Sequence, residues 1–188
     1  MRSLLGGHSS VIGLLAAVAW LAGGQQAGGQ EPAARADAAA AWVTTVFIVR
    51  HAEKASTPPA DPPLSTAGIV RAKQLPHVLA KTRLKAIYTT NTARTTQTVS
   101  YTATATGLTP IIYSSVNALA AGILSGHRGH RVLVAGHADT IQPIAVALGA
   151  SASDCVVTGD EYDNLCVVTI VSGGQRHGVN LQYGKPSP

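Results

Sequence analysis

The chain has 188 residues, of which 46% are hydrophobic and only 12% are charged, which is enough apolar material for the core of one domain. Its net charge of +5 favours anionic partners, but its Lys and Arg residues are scattered and form no basic run interleaved with aromatic residues. This pattern argues against nucleic-acid binding. A small anion such as a phosphate ester needs only a few well-placed cations, and the composition permits that.

The N-terminal segment has the composition of an export signal. Arg2 precedes an apolar stretch, Val11 to Ala22, that is too short to span a bilayer and is followed by small residues. Residues 1–30 are therefore predicted to be a signal peptide, with cleavage near Gly24 to Gln30 and an uncleaved membrane anchor as the alternative. We expect a secreted or periplasmic protein with no membrane span after cleavage. Residues 31–41 are Ala-rich and predict a flexible leader, so that the folded domain spans residues 42–188.

Short β-branched runs alternate with helical patterns along this domain. The sequence predicts strands at 42–49, 84–90, 109–115 and 130–136, and helices at 65–82, 92–107, 116–126 and 139–149. Two further strands, 163–171 and 178–184, are predicted to form a closing hairpin around a Gly-rich turn.

Two of these helices contain proline. In the first helix Ile69, Leu75, Val78 and Leu79 recur at helical spacing, and Pro76 predicts a kink or a boundary between two turns. In the fourth helix Pro143 fits only if it lies in the first turn, where its missing N–H costs nothing.

Alternating strands and helices predict an α/β fold with a mostly parallel central sheet and helices on both faces. In such sheets ligands bind beyond the carboxyl ends of the strands. Three strand ends carry chemistry-bearing residues: Arg50 and His51 after the first strand, Thr89 to Arg94 after the second, and His137 after the fourth.

Together these residues suit phosphoryl transfer. A neutral imidazole can attack phosphorus, two guanidinium groups can hold the phosphate oxygens, and a second His can donate a hydrogen bond to the developing charge. Alone, His51 would be read as a solvated residue at a strand end. A cation such as Arg94 at a helix start is unfavourable unless an anion binds there, which supports the functional interpretation.

Three motifs resemble those of the histidine phosphatase superfamily, the fold shared with cofactor-dependent phosphoglycerate mutases: "VRHAEK", "YTTNTARTTQT" and "VLVAGHADT". "DPPLSTAGIVRAKQL" and "DEYDNLCVVTI" also look like the small bacterial branch that carries Arg-His-Ala-Glu-Lys. The resemblance implies a three-layer sandwich in which His51 is the phosphorylated nucleophile and Arg50, Arg94 and His137 form the phosphate pocket. It implies neither a metal nor a cofactor.

The proton donor stays open between two carboxyl groups, Glu53 and Asp139. Asp139 stands where many members of the small branch have an amide, and an ionised carboxylate there would repel phosphate unless turned away, paired or protonated. We favour Glu53, because it leaves the same strand end as the nucleophile. Lys54 either reaches the phosphate or faces solvent.

We therefore expect a phosphatase acting on phosphomonoesters or a phosphoprotein through a phosphohistidine on His51. The alternative is a secreted phosphate-binding module of the same fold that lacks the proton donor. Cys155 and Cys166 either pair in an oxidising compartment or pack as small buried residues. The sequence predicts no oligomeric state.

Overall fold

A computed structural model describes residues 41–187 of the chain. The predicted signal peptide and all but the last residue of the predicted leader lie outside this range. Six strands and four helices occur within it, in the chain order β1 (Val43–Arg50), α1 (Thr66–Val78), β2 (Ala86–Thr89), α2 (Ala93–Thr106), β3 (Ile111–Ile112), α3 (Val116–Gly126), β4 (Arg131–Gly136), α4 (Ala138–Ala147), β5 (Asn164–Val171) and β6 (Arg176–Gln182).

The strands form one sheet in the order β3-β2-β4-β1-β5-β6. The first four strands of that order are parallel, whereas β5 runs antiparallel to β1 and pairs with β6 as a hairpin. The predicted mostly parallel sheet with a closing hairpin is confirmed. The parallel order places the carboxyl ends of β2, β4 and β1 side by side.

The side chains of β1 alternate between two apolar clusters, one on each face of the sheet. Val46 and Ile48 are fully buried in a cluster that includes residues of α3 and α4, such as Ile144. Val49 is fully buried in the other cluster, which includes Leu75 of α1. Burial on both faces explains the nearly continuous apolar run of this strand and confirms the three-layer sandwich.

The predicted apolar face of α1 is only partly correct. Leu75 and Leu79 are buried, but Ile69 and Val78 are exposed to 38% and 42%. The helix instead turns Gly68 toward the chain after β1, where a Cβ at this position would lie 2.1 Å from the carbonyl oxygen of Glu53. This close approach of two backbones fixes which face of α1 points inward.

Both helical prolines lie inside their helices. Pro76 is two residues before the end of α1 at Val78, and Pro143 is the sixth residue of α4, so the prediction that it occupies the first turn is wrong. Each leaves one carbonyl of the preceding turn without its intrahelical bond. The third strand is also shorter than the predicted 109–115, because β3 is an edge strand that pairs only through Ile111 and Ile112.

Cys155 and Cys166 form a disulfide, with their Cα atoms 5.5 Å apart. The bridge joins β5 to the segment between α4 and β5, and both cysteines are fully buried. Within residues 41–187 no helix is both long and apolar enough to cross a membrane.

Candidate active site

The ends of β1 and β4 are joined directly, because the backbone N–H of His51 donates to the carbonyl of Gly136 over 2.9 Å. His137 follows Gly136 and begins α4. The two imidazole rings consequently lie with their centroids 5.4 Å apart. The structure therefore brings together the two histidines that the sequence places 86 residues apart.

His51 is buried, with 5% of its surface exposed. Its Nδ1 lies 2.8 Å from the carbonyl oxygen of Ala52. A carbonyl can only accept, so Nδ1 carries the proton and Nε2 keeps its lone pair. The pKa of His51 is lowered to about 4, chiefly by desolvation on burial and also by the neighbouring Arg50 and Arg94 guanidinium groups, against the opposing effect of the Ala52 hydrogen bond. The ring is therefore neutral at physiological pH, with the lone pair of Nε2 unprotonated.

His137 has the opposite tautomer. The Arg94 guanidinium, which can only donate, lies 3.5 Å from Nδ1 of His137, and Thr90 Oγ1 lies 3.0 Å from its Nε2. In the neutral ring Nε2 thus carries the proton. Burial and the adjacent Arg94 lower the pKa of His137. Thr95, fully buried, accepts or donates a 2.8 Å hydrogen bond with Thr90 and holds that hydroxyl in place.

Arg94 lies in the first turn of α2 and points at His137, as the second motif predicts. Its other terminal nitrogen is 3.6 Å from the carboxylate of Asp61, which belongs to the loop between β1 and α1. Both oxygens of Asp61 also accept from the backbone N–H of Ala93, at 3.0 and 3.1 Å. Thr92, the N-cap residue, makes no capping bond with its own side chain, so Asp61 caps α2 from another part of the chain.

Arg50 is held by the segment that precedes β5. One terminal nitrogen donates to the carbonyls of Gly159 and Glu161, at 2.7 and 3.1 Å. Its guanidinium lies 4.1 Å above the ring of Tyr162, and that ring is also 5.9 Å from the ring of His51. The Nε of Arg50 is buried without a hydrogen-bond partner among the described residues, so this cation retains an unused donor.

Glu53, the favoured proton donor, lies in a different environment from the one expected. Both of its oxygens accept from the guanidinium of Arg71, a buried residue of α1, at 2.7 to 3.1 Å. The hydrogen bonds and charge of Arg71 outweigh desolvation and lower the pKa of Glu53. A carboxylate that is ion-paired and ionised is poorly suited to donate a proton. Glu53 instead links α1 to the end of β1 through its ion pair with Arg71.

Asp139 and Lys54 are both exposed. Asp139 is in the first turn of α4, and its negative charge raises the pKa of His137 against the larger lowering by burial and Arg94. Lys54 forms an isolated backbone bridge with Leu64 at the rim of the site. Within the described part of the chain, no three His, Cys, Asp or Glu side chains are grouped so that they could hold a metal ion.

Three of the residues that build this site carry no catalytic signature of their own in the sequence. Thr98 accepts a 2.9 Å hydrogen bond from the backbone of Ala52 and fixes the chain just after His51. Tyr162 lies under Arg50, and Asp61 lies beside Arg94. The only available signal was that all three lie in segments that carry the resemblance.

Residues 46–117 match the sequence model of the histidine phosphatase superfamily, branch 1. This stretch includes Arg50, His51 and Arg94. Over these residues the chain is similar to the histidine phosphatase superfamily. No curated protein matches it in sequence.

Several solved structures share the fold of this chain. The chain is similar to the SixA protein of Nakamurella multipartitia, with a TM-score of 0.52 and 20% identity over 78% of this chain and 98% of that one. It is similar to the protein histidine phosphatase SixA complexed with tungstate (TM-score 0.57, 19% identity, 77% and 97% covered). A third similar structure is a mycobacterial glucosyl-3-phosphoglycerate phosphatase (TM-score 0.54, 13% identity, 68% and 90% covered). At these identities the likeness shows the fold.

Proposed function

We propose that the protein is a phosphatase that hydrolyses phosphomonoesters, or a phosphoprotein, through a phosphohistidine intermediate on His51 without a metal. The observation that carries the proposal is the state of His51. Its Nδ1 proton is held by the Ala52 carbonyl 2.8 Å away, and burial keeps the ring neutral, so that Nε2 is a free nucleophile. This is what attack on phosphorus requires.

The surrounding groups suit the two half-reactions. Arg94, His137 and the free Nε of Arg50 can hold the phosphate oxygens and offset the charge of the transition state. In the first step Nε2 of His51 bonds to phosphorus, and the bond to the leaving oxygen breaks. In the second step water attacks the phosphohistidine, which releases inorganic phosphate and restores the neutral ring.

Known proteins support the reaction class and suggest two kinds of substrate. Two similar structures are named for phosphatase activity, one on protein histidine and the other on a small phosphorylated glycerate. The loops between the strands and helices of this chain are short, which favours an open site. An open site suits either a poorly selective reaction or a large substrate such as a phosphoprotein. A small phosphoester and a phosphoprotein thus both remain within the proposal.

We also propose that the protein is exported. The proposal rests on the signal-like pattern of residues 1–30 and on the disulfide between Cys155 and Cys166, since disulfides persist in oxidising compartments. Export removes the protein from the phosphorylated sugars of central metabolism, so hydrolysis is favoured over mutase activity. An uncleaved N-terminal anchor is the alternative to release.

A second candidate function is a phosphate-binding module without turnover. The ion pair of Glu53 with Arg71 favours a binding module, because it engages the carboxyl group that was expected to act as the proton donor. Such a module would bind phosphate or vanadate and release no product.

The test is hydrolysis of an aryl phosphate between about pH 4 and pH 8, with chelator present, by the purified protein and by a His51→Ala variant. We expect metal-independent activity that falls at least about a thousandfold in the variant. Trapping of a phosphorylated His51 in the wild type would support the intermediate. A folded wild type that binds vanadate but turns over no substrate would favour the binding module.

A further inference from the structure

We propose that Asp61 is the proton donor to the leaving oxygen. This inference rests on the proposed phosphatase function and assigns the one role that the sequence leaves open. Asp61 lies in the loop between β1 and α1.

The position of Asp61 is defined by contacts on two sides. Its carboxylate lies 3.6 Å from one terminal nitrogen of Arg94, whose other terminal nitrogen lies 3.5 Å from His137. A phosphate held by Arg94 and His137 would therefore share a guanidinium with Asp61. The two hydrogen bonds from the Ala93 N–H fix the carboxylate against the start of α2, so that its place does not depend on the Arg94 contact alone.

The direction of reaction favours this carboxyl group. In phosphoryl transfer the attacking and leaving atoms are roughly in line, on opposite sides of phosphorus. His51 is buried with 5% of its surface exposed, so the leaving group faces the open side of the site. The side chain of Asp61 is 52% exposed while it contacts Arg94, so it is accessible to a leaving group that points toward solvent.

The two other carboxyl groups near the site are less suited. Both oxygens of Glu53 accept from the guanidinium of Arg71, which is not one of the proposed phosphate-binding groups, so this ion pair keeps Glu53 ionised. Asp139 is exposed in the first turn of α4, and none of its side-chain contacts in the described chain joins it to Arg94. Asp61 alone among the three contacts a phosphate-binding cation.

The step is balanced with no further reactant. In this step Asp61 begins as the neutral acid, and the bound phosphate dianion takes its place on Arg94. As Nε2 of His51 bonds to phosphorus, the electrons of the breaking P–O bond pass to the leaving oxygen, which takes the Asp61 proton and departs as the alcohol. The Asp61 carboxylate then accepts a proton from the water that attacks the phosphohistidine.

The test compares Asp61→Asn with wild type on phosphate monoesters of graded leaving-group basicity, from nitrophenyl phosphate to an alkyl phosphate. Asn keeps an oxygen that can accept from Ala93, so the cap on α2 is retained. We expect kcat/KM to fall about a hundredfold or more for the alkyl ester and less than about tenfold for the nitrophenyl ester, which needs no protonation. The alkaline limb of the pH profile should also be lost.

Asp154→Asn is the matched control, because Asp154 likewise accepts backbone N–H bonds, from Ser151 and Gly178, outside the site. It should leave the dependence on leaving group unchanged. If Asp61→Asn lowers kcat/KM by the same factor for all substrates, the assignment is overturned and Asp61 is a positioning residue for Arg94. The assignment would also be overturned if Asp139→Asn, rather than Asp61→Asn, made kcat/KM depend more steeply on leaving-group basicity. Either result keeps the phosphatase function, whereas a wild type inert on every ester overturns both.

Discussion

At the scale of single residues, the site depends on proton positions that the neighbours of each histidine dictate. The Ala52 carbonyl places the proton of His51 on Nδ1, whereas Arg94 leaves Nδ1 of His137 unprotonated. One ring therefore presents a nucleophilic Nε2, and the other can donate from Nε2. The tautomer of His51 depends on the backbone of the next residue, whereas that of His137 depends on Arg94 and Thr90, which lie more than 40 positions away in the sequence.

The lowered pKa of His51 predicts a pH-dependent stability. Between about pH 6.5, the unfolded value, and about pH 4, the folded value, the unfolded chain binds more protons at this residue, so acidification destabilises the fold. From pH 7 to pH 5 we expect a loss of about 2 kcal/mol from this group. His51→Gln should remove that part of the pH dependence. The measurement is the free energy of urea unfolding of both proteins at pH 7 and pH 5. If the wild type and the variant lose the same free energy between these pH values, the lowered pKa of His51 is contradicted.

The contact of Tyr162 with Arg50 predicts a binding effect. Tyr162→Leu removes the ring 4.1 Å below the guanidinium, so Arg50 should be held less firmly beside His51. We expect KM for an aryl phosphate to rise about fivefold, with a smaller change in kcat. Tyr162→Phe keeps the ring and is the control. If Leu and Phe behave alike, the ring has no role in positioning Arg50.

At the scale of elements, the close packing of α1 against the end of β1 can be tested by substitution. Gly68→Ala would bring a Cβ to 2.1 Å from the Glu53 carbonyl oxygen, a backbone atom that cannot rotate away. We expect a loss of about 1–3 kcal/mol in unfolding free energy and reduced activity, because the shift reaches the chain after His51.

Gly122→Ala is the matched control within the same protein. Gly122 lies in the middle of α3, and a Cβ there has open space around it. This substitution should stabilise the protein by about 0.5–1 kcal/mol, because Ala favours the helix. Urea unfolding of both variants gives the comparison. Equal effects at the two positions would show that α1 does not pack as described.

The disulfide predicts coupling between stability and the phosphate pocket. It closes a loop of sequence separation 11, which corresponds to about 3 kcal/mol of chain entropy in the unfolded state. The loop contains Gly159 and Glu161, whose carbonyls hold Arg50. A Cys155→Ala, Cys166→Ala double variant should therefore lose stability and bind vanadate more weakly. Loss of stability with unchanged vanadate affinity would separate the loop from the pocket.

At the scale of the whole molecule, the export proposal predicts a processed N-terminus. Expressed from its full sequence in a bacterial host, the protein should be recovered outside the cytoplasm, cut between Gly24 and Gln30, with Cys155 and Cys166 oxidised. Intact mass and the N-terminal sequence measure all three points. An intact Met1 in a membrane fraction would favour the anchor instead.

The sequence by itself determined the fold class and predicted which residues gather at the strand ends. Period and composition locate nearly every strand and helix, since the strands of a sheet covered on both faces must be continuously apolar. The strand-end rule then places Arg50, His51, Arg94 and His137 together. These features are encoded locally, in runs of residues that need no knowledge of their neighbours in space.

Only the tertiary structure decided how these residues are held. Three contacts join residues that are distant in the sequence. Glu53 pairs with Arg71, 18 positions away, and Arg50 stacks on Tyr162, 112 positions away. Asp61 contacts Arg94, 33 positions away. The inward face of α1 likewise depends on a backbone approach at Gly68 rather than on apolar spacing. Hydrogen bonds and ion pairs act over a few ångströms, so their partners are chosen by the packing of distant segments, which local sequence patterns do not specify.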